Sequence, residues 1–182
     1  MMSSENKHLK NHADIVKTVQ DFYNRHPYPP PTNHLDSYQK RWQEPIRRRA
    51  DFHLFWPGEP YRENLNVLVA GCGASQAAKV ALRHPAARVF GIDHSETSIR
   101  HTRGLKKRYG LQNLKLGVLP LEQVEELGLS FDKIICTGVL HHLPNPESGL
   151  TALQSVLKPD GAMHLMVYAP YGRTGIYMLQ DF

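Results

Sequence analysis

The residues with the clearest chemical potential are two glycines and an aspartate that lie about 20 positions apart in a chain of 182 residues. Residues 67–75 read Val-Leu-Val-Ala-Gly-Cys-Gly-Ala-Ser, so four apolar residues lead into Gly71 and Gly73. Glycine lets the backbone turn tightly against a ligand, and a helix can begin after the turn. Residues 90–93 read Phe-Gly-Ile-Asp, and the carboxylate of Asp93 can accept hydrogen bonds from both hydroxyls of a ribose. The pattern predicts a nucleoside-binding turn.

The turn differs from the version that binds phosphates. That version has a third glycine, where this chain has Ser75 or Gln76, and no basic residue stands in the turn to meet a pyrophosphate. A nucleoside without phosphates is therefore favoured, and a nicotinamide dehydrogenase is disfavoured. S-adenosylmethionine fits these features, because its methionine part suits a tight Gly-x-Gly turn and its ribose needs one acid.

Two further segments, in order along the chain, support this interpretation. Residues 131–143 read Phe-Asp-Lys-Ile-Ile-Cys-Thr-Gly-Val-Leu-His-His-Leu, and residues 157–161 read Leu-Lys-Pro-Asp-Gly. Together with the turn and the acid, they make the chain from about residue 64 to residue 170 resemble the class I methyltransferase family. It departs from the family pattern at Val69, where an acid is usual, and at Ser75, where glycine is. The resemblance implies an α/β fold, with a Rossmann-like, doubly wound and mainly parallel sheet, and S-adenosylmethionine as the cofactor.

On this resemblance we expect each part of the cofactor to have its own binding residues. The backbone of the turn would approach the methionine part, and the acid would hold the ribose. The third strand ends without the Asp that often caps the adenine amino group, so backbone and apolar contacts would hold the adenine. The expected residues are Gly71, Cys72, Gly73 and Ala74 at the methionine part, Asp93 at the ribose, His94, Leu119, Pro120 and Leu121 at the adenine, and Thr137 and Gly138 at the methionine amino group and the transferring methyl.

His141 and His142 are the candidate catalytic residues. Imidazole titrates near neutrality, and a hydroxyl or amine nucleophile must lose a proton, so either side chain could act as a general base or contact the acceptor. The alternative is structural, since both histidines could cap the following helix or pack against Leu143. Cys72 and Cys136 lack metal-ligand spacing, and no metal is expected.

Sequence motifs that the chain lacks constrain the methyl acceptor. Neither Asn-Pro-Pro-Tyr nor Asp-Pro-Pro-Tyr follows the fourth predicted strand. Cys136 is preceded by Ile135, so no Pro-Cys pair offers the thiolate that cytosine-ring methylation uses. A small-molecule acceptor is therefore favoured. Two alternatives stay open, namely an RNA- or protein-directed methyltransferase and a truncated, noncatalytic cofactor-binding module.

Composition predicts a cytoplasmic protein with one domain and an appendage. Apolar residues make up 41% of the chain, yet no run of them is long enough for a membrane span, and the polar N-terminus does not resemble a signal peptide. The net charge is +5, with basic clusters at residues 40–41 and 47–49. Near these clusters lie the aromatic residues Trp42, Phe52, Phe55 and Trp56. Interleaved aromatic and basic side chains can stack on nucleic-acid bases, but a lid helix packed on a core has the same composition.

Hydrophobic periodicity divides the chain into a helical cap and an alternating α/β domain. Residues 1–62 are predicted to hold a polar tail, one helix over residues 14–23 and another over 38–49, and residues 63–182 the cofactor-binding domain. Residues 22–29 resemble a segment of methyltransferases whose catalytic domain is linked to helical repeats. The alternation implies right-handed crossovers and a parallel sheet. The predicted strands are 66–70, 88–92, 114–118, 133–136 and 162–168, and the predicted helices of the domain are 76–83, 96–109 and 147–156.

The resemblance also bears on how the sheet ends. The family's sheet has seven strands, the last two of which follow the fifth, whereas here only residues 169–182 come after the fifth predicted strand. We therefore expect a domain that is incomplete at its C-terminal end. An uncovered edge strand offers unpaired backbone groups, so a homodimer or a partner chain is expected to cover it.

Overall fold

The protein folds around five strands in a computed structural model that describes residues 21, 24, 25 and 30–169. Within these residues, helices α1 and α2 precede the sheet and α3, α4 and α5 connect its strands, with 3-10 helices at Leu121–Leu127 and Leu140–His142. The bounds are α1 (Asp36–Trp42), α2 (Pro45–His53), β1 (Asn66–Ala70), α3 (Gln76–Arg83), β2 (Arg88–Asp93), α4 (Glu96–Arg108), β3 (Leu114–Val118), β4 (Phe131–Thr137), α5 (Pro146–Ser155) and β5 (Leu157–Met166).

The sheet has the strand order β3-β2-β1-β4-β5, and every neighbouring pair is parallel. The chain moves outward from β1 to β3, then returns to the other side of β1 to form β4 and β5. In such sheets the point where the order reverses leaves a crevice at the carboxyl ends of the central strands. The predicted Rossmann-like α/β fold is confirmed, and its crevice lies at the ends of β1 and β4.

The predicted element bounds hold for β1, β3 and α3, and differ elsewhere. The fifth strand was expected at residues 162–168, but it spans Leu157–Met166. It begins earlier because Leu157 already pairs with Phe131 at the start of β4. A register shift lies between Phe131 and Lys133. The single helix expected at 38–49 is two helices, since Pro45 has no N–H to continue α1 and instead starts α2. The helix expected at 14–23 falls almost wholly outside the described residues.

Both faces of the sheet are buried, which explains the continuous apolar runs of its central strands. Val67 and Val69 of β1 face α3, α4 and the cap, whereas Leu68 and Ala70 face α5 and the 3-10 helix after β3. All four side chains are fully buried. Gly91 of β2 is required by this packing, because a Cβ there would lie 2.6 Å from Cβ of Ala77 on α3.

The strand β5 lies at the edge of the sheet in the described part of the chain. It pairs with β4 only, and Leu165, Met166 and Val167 near its end are 38%, 39% and 54% exposed. Apolar side chains on an unpaired strand are the features expected where another segment or chain adds to a sheet. The homodimer or partner chain at this edge stays a prediction.

A buried ion cluster attaches the cap to the sheet. Lys133 of β4 is 1% exposed, and its Nζ donates to Oδ2 of Asp51 on α2 at 3.0 Å. Nη1 of Arg83 donates to the other carboxylate oxygen at 3.2 Å, and the His84 imidazole lies 3.4 Å away. Burial alone would raise the pKa of the Asp51 carboxyl, but His84, Lys133 and Arg83 together hold that pKa well below its usual range. The carboxylate therefore stays charged between its partners.

The stability of the protein is expected to fall as the pH is lowered below 6.5, because of His84. Burial lowers the pKa of His84 below its usual value of 6.5, and the charge of Lys133 lowers it further, while Asp51 opposes the shift. Below pH 6.5 the His84 side chain of the unfolded chain binds a proton that the folded chain does not yet bind. The stability that the neutral, buried His84 contributes is therefore complete above pH 6.5 and is lost as the pH falls through the pKa of His84 in the folded protein. Urea unfolding should show a loss of at most about 1.4 kcal/mol per pH unit from this group.

The His84→Gln variant should lose less stability over the same pH range, because glutamine does not titrate. The matched control is His34→Gln, since the side chain of His34 is 76% exposed and should leave the pH profile unchanged. An identical acid slope in the wild-type chain and the His84→Gln variant would contradict this assignment.

Two aromatic residues before the sheet, Phe52 and Trp56, belong to the core. Phe52 is 2% exposed and Trp56 is 7% exposed, and the indole N–H of Trp56 donates to the backbone oxygen of Asp160 at 2.9 Å. Arg48 donates to the backbone oxygen of Trp42 at 2.8 Å and to Glu63. These contacts of Phe52, Trp56 and Arg48 are those of packing on the core, and the nucleic-acid alternative for this segment stays untested. No helix in the described residues is long and apolar enough to cross a membrane.

Candidate functional site

The turn after β1 has the backbone geometry that its glycines predict. Gly71 and Gly73 have φ values of 65° and 53°, in the left-handed region that other residues rarely adopt. Between them, the N–H of Cys72 donates to the backbone oxygen of Ile92 at 2.9 Å, which ties the turn to the end of β2. A Cβ on Gly71 would overlap the side chain of Val139. Both the conformation and the space therefore require glycine at position 71.

Gly71→Ala is expected to destabilise the protein by about 2–4 kcal/mol, the sum of a backbone cost near 1 kcal/mol and the overlap with Val139. Adding Val139→Ala should recover the steric part only, because the left-handed φ remains. Urea unfolding of the single and double variants measures both parts. Gly104→Ala is the control, since a Cβ there meets nothing within 4 Å and Gly104 lies inside α4. Equal stability of the Gly71→Ala and wild-type chains would contradict the assigned cause.

Asp93, at the end of β2, is held by the backbone of two loops. The N–H of Gly73 donates to its Oδ2 and the N–H of Ser95 to its Oδ1, both at 2.8 Å. The side chain of Ser95 in turn caps α4 by accepting from the N–H of Ser98. A carboxylate offers about four lone-pair sites, so each oxygen keeps capacity for one more donor. The position of Asp93 is thus fixed before any ligand arrives.

A cavity of about 540 Å³ opens above this carboxylate. Its walls come from the glycine turn, the ends of β2, β4 and β5, and one face of α3. The volume suits a ligand of cofactor size. Of the expected site residues, the structure brings all but His141 to its wall, namely Gly71, Cys72, Gly73, Ala74, Asp93, His94, Leu119, Pro120, Leu121, Thr137, Gly138 and His142.

The two candidate catalytic histidines have different surroundings. His142 lines the cavity. Its backbone N–H donates to the backbone oxygen of Val139 at 2.8 Å. The ring of His141 lies 3.9 Å from the ring of Tyr168 and is not part of the cavity wall. Neither histidine caps α5, because Oδ1 of Asn145 accepts from the first backbone N–H groups of that helix. Of the two histidines, only His142 lines the cavity.

Both cysteines are packing residues. Cys72 and Cys136 are 1% and 0% exposed. Burial raises the pKa of the Cys72 thiol well above its usual value, and raises the pKa of Cys136 to about 12. Neither thiol would ionise near neutral pH, so neither has the character of a nucleophile.

Several cavity residues were not anticipated from the sequence. Gln76 of α3 donates from Nε2 to Oγ1 of Thr137 at 3.2 Å, and so links the helix to the end of β4. Further along the same helix, Lys79 and Arg83 also line the cavity. Their helical spacing is a signal that could have placed them on one face. The other unanticipated residues are Tyr38, Ser75, Val80, Ser98, Glu122, Ile135, Val139, Leu143, Pro144, His164, Met166 and Tyr168.

The sheet, the glycine turn and the fixed carboxylate define a Rossmann-like nucleoside-binding domain. Residues 62–169 match the protein family described as "Methyltransferase domain", which is more than half of the chain. The chain belongs to the class I S-adenosylmethionine-dependent methyltransferase family. The cofactor of this family is S-adenosylmethionine, in agreement with the expectation from the turn and the acid.

Several known proteins and solved structures are similar to this chain. An uncharacterized protein of Synechococcus sp., syc1184_c, is 32% identical over 173 residues, which are 92% of this chain and 40% of that protein. The ubiquinone biosynthesis O-methyltransferase of Acinetobacter baumannii is 31% identical over 96 residues, 52% of this chain and 40% of the enzyme. The solved structure of PKMT2 from Rickettsia typhi in complex with AdoHcy superposes with a TM-score of 0.55 at 27% identity, covering 75% of this chain and 26% of PKMT2.

The chain spans about two fifths of the length of the two curated relatives named above. Coclaurine N-methyltransferase, bound to N-methylheliamine and SAH, shares the fold at 21% identity and a TM-score of 0.53, over 64% of this chain and 34% of that enzyme. The matched region is therefore the shared cofactor-binding domain, and the acceptor has to be inferred from the cavity of this chain.

Proposed function

We propose that this chain transfers a methyl group from S-adenosylmethionine to a small-molecule acceptor. The observation that carries the proposal is the carboxylate of Asp93, fixed at 2.8 Å by the N–H of Gly73 and facing a cavity of about 540 Å³. This arrangement holds the glycine turn and the ribose acid in one rigid unit. Because the carboxylate is already held in position, little conformational entropy of its side chain is lost when it binds a diol.

The proposed placement of the cofactor follows the cavity wall. The lone pairs of Asp93 accept the two ribose hydroxyls, and the turn from Gly71 to Ala74 approaches the methionine part with its backbone. Leu119, Pro120 and Leu121 form an apolar side for the adenine. Glu122 also lines the cavity beyond them, and its carboxylate offers an acceptor for the adenine amino group that the third strand lacks.

Methyl transfer requires little from the protein beyond alignment. When bound, S-adenosylmethionine would supply the methyl group of its sulfonium, and the nucleophile of the acceptor would attack the methyl carbon in line as S-adenosylhomocysteine leaves. The residues at the end of β4 fix the site of transfer, because Gln76 holds Thr137 and the N–H of Gly138 donates to the backbone oxygen of Met166 at 2.9 Å. Positioning of two reactants in this way accounts for a large part of the rate enhancement in such reactions.

His142 is the proposed general base. It lines the cavity, and a neutral imidazole can take the proton that a hydroxyl or amine acceptor loses. His141 is the alternative within the same 3-10 helix, but it does not line the cavity, and its ring packs against that of Tyr168. We therefore assign the catalytic role to His142 and a packing role to His141.

The case for a small acceptor is the volume of the cavity, about 540 Å³, which has to hold both reactants. The Acinetobacter baumannii relative is named as an enzyme of ubiquinone biosynthesis, which is consistent with an acceptor of this kind. An RNA- or protein-directed methyltransferase is the second candidate, favoured by the net charge of +5. Against it, two of the four aromatic residues beside the basic clusters, Phe52 and Trp56, are buried and cannot stack on bases.

We further propose that residues 1–62 form a cap on the cofactor-binding domain of residues 63–182, in a cytoplasmic protein. Contacts that support the cap are the Asp51 cluster and the hydrogen bond from the N–H of Leu35 to the hydroxyl of Tyr109 at 2.6 Å. The two free, buried cysteines suit a reducing compartment.

Calorimetric titration with S-adenosylmethionine and with its product S-adenosylhomocysteine tests the proposed function. We expect dissociation constants of about 1–100 μM, followed by methyl transfer when small hydroxyl and amine acceptors are screened. A chain that is folded by circular dichroism but binds neither compound would exclude the proposal, whereas binding without methyl transfer to any acceptor would favour the noncatalytic cofactor-binding module.

A further inference from the structure

We propose that the methyl acceptor carries an anionic group, a carboxylate or a phosphate, which Lys79 and Arg83 bind in the part of the cavity next to the cap. This inference rests on the proposed function and specifies the substrate class of the same site. Nothing in the cofactor site itself requires it. It follows from the way the charged residues of the described part are distributed around the cavity.

The charges on the cavity wall are divided by sign. The acidic residues Asp93 and Glu122 follow β2 and β3, at the side assigned to ribose and adenine. The basic residues Lys79 and Arg83 lie on α3, on the side of the cavity that Tyr38 of the cap and His164 of β5 also line. A cavity lined by one sign of charge raises the local concentration of ligands of the opposite sign.

Lys79 is the residue that is free to bind. It is half-buried, and in the described part of the chain no carboxylate lies within 4.0 Å of its ammonium group. An ammonium group has three donors and no acceptor. A lysine in a partly enclosed cavity without a counter-charge favours the binding of an anion. On an open surface, water would accept the hydrogen bonds of its ammonium group.

Arg83 is oriented by its neighbours but keeps donors for a ligand. Nε and Nη2 donate to the hydroxyl of Tyr38 at 3.1 and 2.8 Å, and Nη1 donates to Asp51 at 3.2 Å. Its guanidinium also stacks over the ring of Trp42 at 4.4 Å. Five N–H groups are available on a guanidinium, so two remain. Asp51 is shared with Lys133, so one carboxylate balances two cations and the region stays positive.

The distance from the reacting centre suits a small acceptor. Gln76, which contacts Thr137, lies on the same face of α3 as Lys79 and Arg83. At a rise of 1.5 Å per residue, these two residues lie about 4.5 and 10.5 Å further along the helix axis. An acceptor whose nucleophilic atom reaches the end of β4 can therefore place an anionic group, one or two helical turns away, between the two cations.

The test uses fragments that differ only in charge. The wild-type chain is first titrated with S-adenosylhomocysteine, and then, saturated with it, with benzoate, phenyl phosphate and the neutral benzamide, each followed by ligand-observed NMR. We expect at least one anion to bind at about millimolar concentration and at least about tenfold more tightly than benzamide. Benzoate and phenyl phosphate together distinguish a carboxylate from a phosphate site.

Variants assign the binding to the cavity. Lys79→Met should weaken the preferred anion by about tenfold or more, and Lys79→Arg should retain it. Lys107→Met, on the exposed face of α4, is the matched control and should bind like the wild-type chain. Melting temperatures of all variants show whether the fold is kept.

Two outcomes would overturn this inference. One is equal binding of benzamide and both anions to the folded, S-adenosylhomocysteine-bound chain. The other is a Lys79→Met variant that loses affinity for S-adenosylhomocysteine but keeps its affinity for 5′-methylthioadenosine, which lacks the amino-acid carboxylate of the cofactor. That result would show that Lys79 binds the cofactor carboxylate instead of the acceptor. Failure of the wild-type chain to bind S-adenosylhomocysteine at all would instead refute the proposed function.

Discussion

Asp93→Ala is expected to weaken the binding of S-adenosylhomocysteine by about 100-fold or more, because two charge-assisted hydrogen bonds to the ribose are lost, each of about 1.5–3 kcal/mol. The substitution also removes the acceptor of the Gly73 and Ser95 N–H groups, so the glycine turn loses its anchor. Calorimetry of the folded variant gives the loss directly.

A second variant separates the ligand effect from the structural one. Asp93→Asn keeps an oxygen for one of the two backbone donors, but it removes the charge and half of the acceptor capacity, so an intermediate affinity is expected. Asp36→Ala is the control, because the Asp36 side chain is 75% exposed on α1. Affinity that is unchanged in Asp93→Ala would show that the ribose is bound elsewhere.

Asp51→Ala is expected to destabilise the protein by about 3–5 kcal/mol, the cost of leaving a buried charge without its partner. The stranded charge is that of Lys133, which is 1% exposed and has its Nζ 3.7 Å from the centre of the Phe55 ring. Burial already lowers the pKa of Lys133, so loss of the carboxylate would lower it further. Urea unfolding, with circular dichroism as the signal, measures the effect.

A double variant tests the cause. Lys133→Met added to Asp51→Ala removes the uncompensated charge, and should recover at least about 1 kcal/mol relative to Asp51→Ala alone. Glu44→Ala is the control, since its pair with Arg47 has side chains 55% and 51% exposed and should contribute less than about 1 kcal/mol. A double variant less stable than Asp51→Ala would contradict the proposed origin of the loss.

The cofactor side of the site was predictable because its signals are local. The left-handed backbone at Gly71 and Gly73 depends on those residues themselves, and the distance in sequence to Asp93 follows from one strand-helix-strand unit. The apolar runs of β1 and β4 predict buried parallel strands for the same reason, since both faces of such strands are covered. These features gave the fold, the family and the expected cofactor.

The structural roles of several predicted residues depended on contacts between distant segments. The sequence treated His141 and His142 alike, and only the tertiary structure shows that His142 lines the cavity whereas His141 does not. Pro45 itself is a local signal for the break between α1 and α2, but the helical periodicity of residues 38–49 led to the prediction of one continuous helix. The early start of β5 depended on its pairing with β4.

The sequence by itself determined the strands, the glycine turn and the ribose acid, because backbone preference and hydrophobic periodicity act over a few residues. Only the tertiary structure decided the surroundings of the charged residues. Lys133 lies within an apolar strand, and its partner Asp51 is 82 residues away in the sequence. Whether a charge is buried, paired or left to bind a ligand depends on desolvation and on partners from other elements, and no local pattern records either.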